Sequence, residues 1–154
     1  MPVRLFTALT ALAALGVSST SYALSMVYEE TFDTSPAPVW GPFFGPPLAI
    51  FGAPPLVVVS GPPSQQLQWC GWLDLEVTQN ATMISFELIN SSHAHPISVD
   101  IIDATGSPGT VLPGGIFGYG THTVQGVAGP NAVVEIRGGN CETWIDDVRL
   151  WELP

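Results

Sequence analysis

The sequence predicts an all-β protein, an antiparallel two-sheet sandwich of jelly-roll type closed by one disulfide. Three observations carry this. Apolar and polar residues alternate with a period of two through most of the second half, as strands with one buried face require. Clusters of Gly, Pro, Asn and Ser separate those stretches at short intervals. No window of a dozen residues beyond the first two dozen shows apolar residues at helical spacing with capping signals. Several short strands with one apolar face each must bury those faces against one another, which leaves a sandwich or a barrel, and the sandwich is the reading adopted.

In chain order, Arg4 precedes an apolar run from Leu5 to Val17 that is too short to cross a bilayer, and Ser21 and Ala23 fit the small-x-small rule for cleavage. Residues 1–23 therefore read as a signal peptide and 24–154 as one β-sandwich domain, secreted or held in the periplasm or at the cell surface. No second apolar run reaches the roughly 20 residues of a membrane span. Tyr28 to Asp33, YEETFD, is the opening strand. Residues 35–63 are crowded with Pro and Gly around the short apolar pieces LAIF and LVVV. Proline lacks a ladder donor, so this Pro/Gly-rich loop region is expected to supply only edge strands and loops of the same domain.

Beyond Leu67 the alternation sets in. Leu73, Leu75 and Val77 form one apolar face, Ile84, Phe86 and Leu88 a second, Ile97, Val99 and Ile101 a third, and Ala132, Val134 and Ile136 a fourth. Turns are expected at 79–81, 90–92, 106–109, 113–115, 129–131 and 138–140. The chain closes on Thr143 to Trp151, TWIDDVRLW, where two adjacent carboxylates interrupt an apolar strand.

The chain carries 13 acidic residues against 3 basic ones, for a formal net charge of −10. Removal of the leader would leave only Arg137 and Arg149 as cations. Nucleic acid and anionic membranes are excluded as partners, because the Lys and Arg that release phosphate counterions are almost absent. Cys70 and Cys141 are the only cysteines, and in an oxidising compartment they are expected to pair.

Both chain ends resemble the jelly-roll carbohydrate-binding modules and the wider galactose-binding-like β-sandwich domains. The residues concerned are Tyr28, Glu29, Glu30, Phe32, Asp33 and Trp40 at one end, and Trp144, Ile145, Asp146, Asp147, Val148 and Leu150 at the other. The resemblance implies an extracellular glycan as partner and a structural calcium between the first and last strands. Asp146 is in phase with Val148 and Leu150, so it is expected to point inward, where a carboxylate needs a partner. Two partner sets are open: calcium with Glu30 or Asp33, or backbone donors with Arg149 or Arg137.

Sugar binding uses aromatic rings that stack on pyranose faces, aided by amides and carboxylates. The candidates are Trp40, Phe43, Phe44, Trp69, Trp72, Phe117, Tyr119 and Trp151, with Trp69, Trp72, Asp74, Phe117 and Tyr119 expected to form the binding patch. His93, His95 and His122 are spaced as loop or metal-ligating histidines, and Asp74 with Glu76 as strand-face charges or a glycosidase pair. No GxSxG, P-loop or HExxH string occurs, so no enzymatic activity is expected. Asn80 and Asn90 begin glycosylation sequons. Three readings stand in order: a non-catalytic module for extracellular carbohydrate, a structural or adhesive subunit partnering another surface protein, and a small exported hydrolase.

Overall fold

A computed structural model describes residues 23–33, 39–43, 47–54, 56–60, 64–78, 81–102, 111–112 and 115–153. Residues 1–22 of the expected signal peptide, Phe44, Asn80, the turn predicted at 106–109 and residues 113–114 of the turn predicted at 113–115 lie outside the described residues. Among the described residues there is no helix, and every strand pair is antiparallel. The two-sheet antiparallel sandwich with one disulfide is as the sequence predicts.

The smaller sheet holds β3 (Leu48–Gly52), β6 (Trp72–Val77), β8 (Ile97–Ile102), β10 (Ile116–Phe117) and β12 (Val133–Gly138), in the order β10-β8-β12-β6-β3. The larger holds β1 (Ser25–Glu30), β2 (Val39–Trp40), β4 (Val57–Ser60), β5 (Gln65–Trp69), β7 (Met83–Asn90), β9 (Val111–Leu112), β11 (Gly120–Val127) and β13 (Thr143–Glu152). Its order is β2-β4-β5-β13-β7-β11-β9, with β1 also paired to β13.

The alternation did what its period requires. All twelve residues of the four predicted apolar faces are at most 1 % exposed. They merge with Leu67, Trp69, Phe117, Ile145, Val148 and Leu150 into one core between the sheets. The Pro/Gly-rich region supplies β3 and β2, both at sheet edges. Its third strand, β4, is the exception, because VVVS contains no proline and can pair on both sides, with β2 and with β5.

Cys70 and Cys141 are bonded, with their Cα atoms 4.3 Å apart, and tie the β5–β6 turn to the loop before β13. At the same end Asn90 is buried. Its Nδ2 donates to the carbonyls of His95 (2.9 Å) and Phe117 (3.4 Å), while its Oδ1 accepts from Ser92 N–H. The amide that a glycan would modify is thus consumed in the loop, so Asn90 is a structural residue here.

Strand β13 is the structural axis of the larger sheet, and it changes neighbour halfway. Thr143 to Ile145 pair with β5 on one side, while Val148 to Glu152 pair with β1 on that side, and β7 runs along the other. Between the halves the register with β7 shifts between Asp146 and Arg149, and Asp147 adopts a left-handed φ of 51°. This is a β-bulge at the acidic pair.

Candidate functional site

The bulge corrects the expected phase of Asp146. Thr143 and Ile145 before it, and Val148 and Leu150 after it, all face the core, so the inward set changes parity across the pair. Asp146 therefore shares a side with Trp144 and with its ladder partner Glu87, on the outer face of the larger sheet. It is nevertheless only 5 % exposed. Ser64 Oγ donates to its Oδ2, and Asp147 N–H donates to its Oδ1 at 2.8 Å. Burial pushes its carboxyl above the usual carboxylate range; those two donors oppose the shift, and the nearby charges of Asp147 and Asp33 add to it.

The other two expected calcium ligands are engaged nearby. Asp33 Oδ1 accepts from Gln65 N–H at 2.9 Å, and Gln65 Nε2 returns a bond to Asp33 O at 3.0 Å. Glu30 accepts from Phe32 N–H at 2.8 Å and from Tyr28 O–H at 3.1 Å. Burial, with Glu30 alongside, pushes the Tyr28 phenol up to about 12. Calcium asks for six to eight free oxygens. Among the described residues no group of three or more His, Cys, Asp or Glu side chains could hold a metal ion. Each of the three carboxylates expected to ligate calcium already accepts at least one protein donor.

Of the expected aromatic patch, two members are in the core. Trp69 is fully buried and Phe117 is 2 % exposed, because each lies in the inward phase of its strand. Neither can stack on a ligand. Tyr119 is 59 % exposed at the disulfide end, its ring stacked on His93 at a centroid distance of 3.9 Å. Trp72 is 40 % exposed on the outer face of the smaller sheet, with the Arg137 guanidinium 5.8 Å from the ring centroid. Arg137 also bonds Asp74 and lies 3.2 Å from Glu135. The four aromatics therefore do not form a common strip. Phe43 packs on the core, Trp40 stands on β2, and His122 bonds Gly118 O at 3.0 Å while tilting against Phe117.

A concavity lies on the opposite face, among residues that the sequence reading did not bring together. A groove of about 430 Å³ crosses β5, β13, β7 and β11 on the outside of the larger sheet. Trp144 is half-buried in it, next to Gln68 and Ile89 in the ladder. Gln66, Ser91, Thr121, Glu87 and Asp146 supply amide, hydroxyl and carboxylate groups around the ring, and no basic residue lines it. Trp144 was absent from the aromatic candidates, yet the sequence held a signal. Thr143 and Ile145 flank it as inward residues, which sends the indole outward.

No protein-family model matches the chain, and no curated protein matches it either.

Proposed function

We propose that this protein is an exported, non-catalytic module that binds extracellular carbohydrate through the groove on the larger sheet. One observation carries the reading: a half-buried indole lies in an open groove whose other polar groups are an amide, hydroxyls and carboxylates. An indole face matches the C–H face of a pyranose, and the polar groups suit its hydroxyls. With Glu87, Asp146 and Asp147 on the rim and no cation, the groove favours neutral sugars over uronic or sulfated ones.

Binding without turnover is part of this reading, and one contact supports it. Asp146 and Glu87 are ladder partners, a spacing at which a glycosidase could keep two carboxylates. Both oxygens of Asp146, however, already accept hydrogen bonds from Ser64 and Asp147, which favours a structural and binding role over work on a glycosidic bond. The test is affinity electrophoresis in neutral polysaccharides, with reducing ends assayed in parallel. Trp144→Ala should abolish retardation with its melting unchanged, and Trp72→Ala should retain it. Absence of retardation in every glycan, or equal loss in both variants, would overturn the reading.

A second reading, a subunit of a surface assembly, is favoured by one feature. At the far end of the larger sheet the ladder aligns Met26, Trp151, Met83 and Val127 across four strands. Met26 is 48 % and Val127 70 % exposed. Such an apolar row suits protein contact. Sedimentation velocity across a concentration series decides it: reversible association lost in Val127→Glu would support assembly, and a monomer at every concentration would remove it.

A further inference from the structure

The outer face of the smaller sheet holds a second surface, independent of the groove. Two cross-strand rows lie side by side there. The register aligns Trp72, Arg137, Ser98 and Ile116 in one, and Phe51, Asp74, Glu135 and Asp100 in the next. The first row ends in two exposed apolar side chains, Trp72 at 40 % and Ile116 at 73 %. A depression of about 290 Å³ adjoins it, bounded by Pro96, Ile97, Ser98, Ile116, Arg137 and Gly138. That volume accommodates an aliphatic side chain.

Charge decides what would cover this face. Carboxylates directly opposite on neighbouring strands repel. Three stand in one row, and Arg137 is the only cation among them, engaging Asp74 and Glu135. No ion pair forms to Asp100 among the described residues. The face already holds one cation in the manner expected of a partner, since the Arg137 guanidinium lies over the Trp72 ring while bonded to a carboxylate. A second copy of the chain is a poor complement, because its basic residues number only 3 against 13 acidic ones.

We propose that this face docks a basic polypeptide segment, which sets an aliphatic side chain in the depression beside Ile116 and its Lys or Arg side chains along the Asp74, Glu135 and Asp100 row. Arg137 is then an internal competitor. Its removal frees two carboxylates and one face of the indole.

The test is fluorescence anisotropy of a labelled decapeptide of alternating Lys and Leu, titrated with the full-length, disulfide-bonded protein at low and physiological salt. Glu135→Gln with Asp100→Asn should weaken binding at least tenfold, and Trp72→Ala or Ile116→Ser several-fold. Arg137→Gln should tighten it several-fold, whereas Arg149→Gln, with the same change of net charge, should leave it unmoved. Trp144→Ala should also have no effect, which separates this surface from the glycan groove. The proposal is overturned if Glu142→Gln with Glu152→Gln weakens binding as much as the row double variant, since the peptide is then responding to overall charge. It is equally overturned if Arg137→Gln weakens binding, or if the peptide does not bind. Melting curves of each variant identify any loss that comes from unfolding.

Discussion

Replacing Asp146 separates the two things this residue does. Its oxygens accept hydrogen bonds from Ser64 Oγ and Asp147 N–H, and its charge is carried almost out of water. Asp146→Ala removes both acceptors, at about 1 kcal/mol net for each bond, partly offset by loss of the buried charge. The expected cost is about 1–2 kcal/mol, or a melting temperature lower by roughly 3–8 °C for a domain of this size. Asp146→Asn keeps an acceptor for Asp147 N–H, allows the Ser64 hydroxyl to reorient, and removes the charge. It should equal or exceed the wild type at pH 7. The pH dependence follows the raised carboxyl. Its contribution is fully present below the ordinary value of 3.8 and is lost as pH rises through the folded-state value, so wild type gains on Asp146→Asn on acidification. Urea denaturation of the three proteins at pH 7 and pH 4 reads all of this, with and without calcium and chelator. If Asn is as damaging as Ala at pH 7, and chelator lowers wild-type stability, the charge itself is in use and a calcium ion between Asp33 and Asp146 replaces the hydrogen-bonded junction.

Four other outcomes are expected. Gly138→Ala should cost about 2–3 kcal/mol by urea denaturation, since Gly138 has φ +94° and an added Cβ would lie 2.6 Å from Pro96 O. The raised phenol of Tyr28 stabilises the fold fully below its ordinary value of 10 and loses that contribution as pH rises through about 12, so Tyr28→Phe should flatten the alkaline limb of a melting-temperature profile. Replacing Cys70 and Cys141 by Ser should cost about 4 kcal/mol by the chain-entropy model, given the separation of 71 residues, and reductant should lower wild-type melting to match. Asp147→Val should cost about 1–2 kcal/mol more than Asp147→Asn, because a β-branched residue does not tolerate the left-handed φ of 51°; equal melting curves would show that the bulge is not needed.

Wherever strands kept a strict period, the sequence told which side faced in. Leu73, Leu75 and Val77, or Ile97, Val99 and Ile101, could bury themselves only in one way, and they did. The same logic placed Trp72, Asp74 and Glu76 outside. Extended to the aromatic candidates, it accounts for Trp69 but not for Phe117. Trp69 is in phase with Leu67 and belongs to the core, while Phe117 ends a two-residue strand too short to show a period. The groove was not legible for another reason. It gathers Gln66, Trp144, Glu87 and Thr121 from four strands distant in sequence, and their adjacency depends on the strand order, which alternation does not encode. The row of Asp74, Glu135 and Asp100 was hidden likewise, since it exists only through two registers.

The acidic pair in the closing strand now has a mechanical explanation. A regular strand keeping Thr143 and Ile145 inward would turn Val148 and Leu150 outward, because their parity differs. One extra residue in the bulge resets the phase, so both apolar halves of β13 reach the same core. Asp tolerates the left-handed backbone that this requires better than an apolar residue would. The bulge falls where β13 exchanges β5 for β1 as neighbour, and the carboxylate of Asp146 takes up the hydroxyl of Ser64 just before β5 begins. The same shift leaves Trp144 and Asp146 together on the outer face. The device that lets one strand serve two neighbours is therefore also what floors the groove.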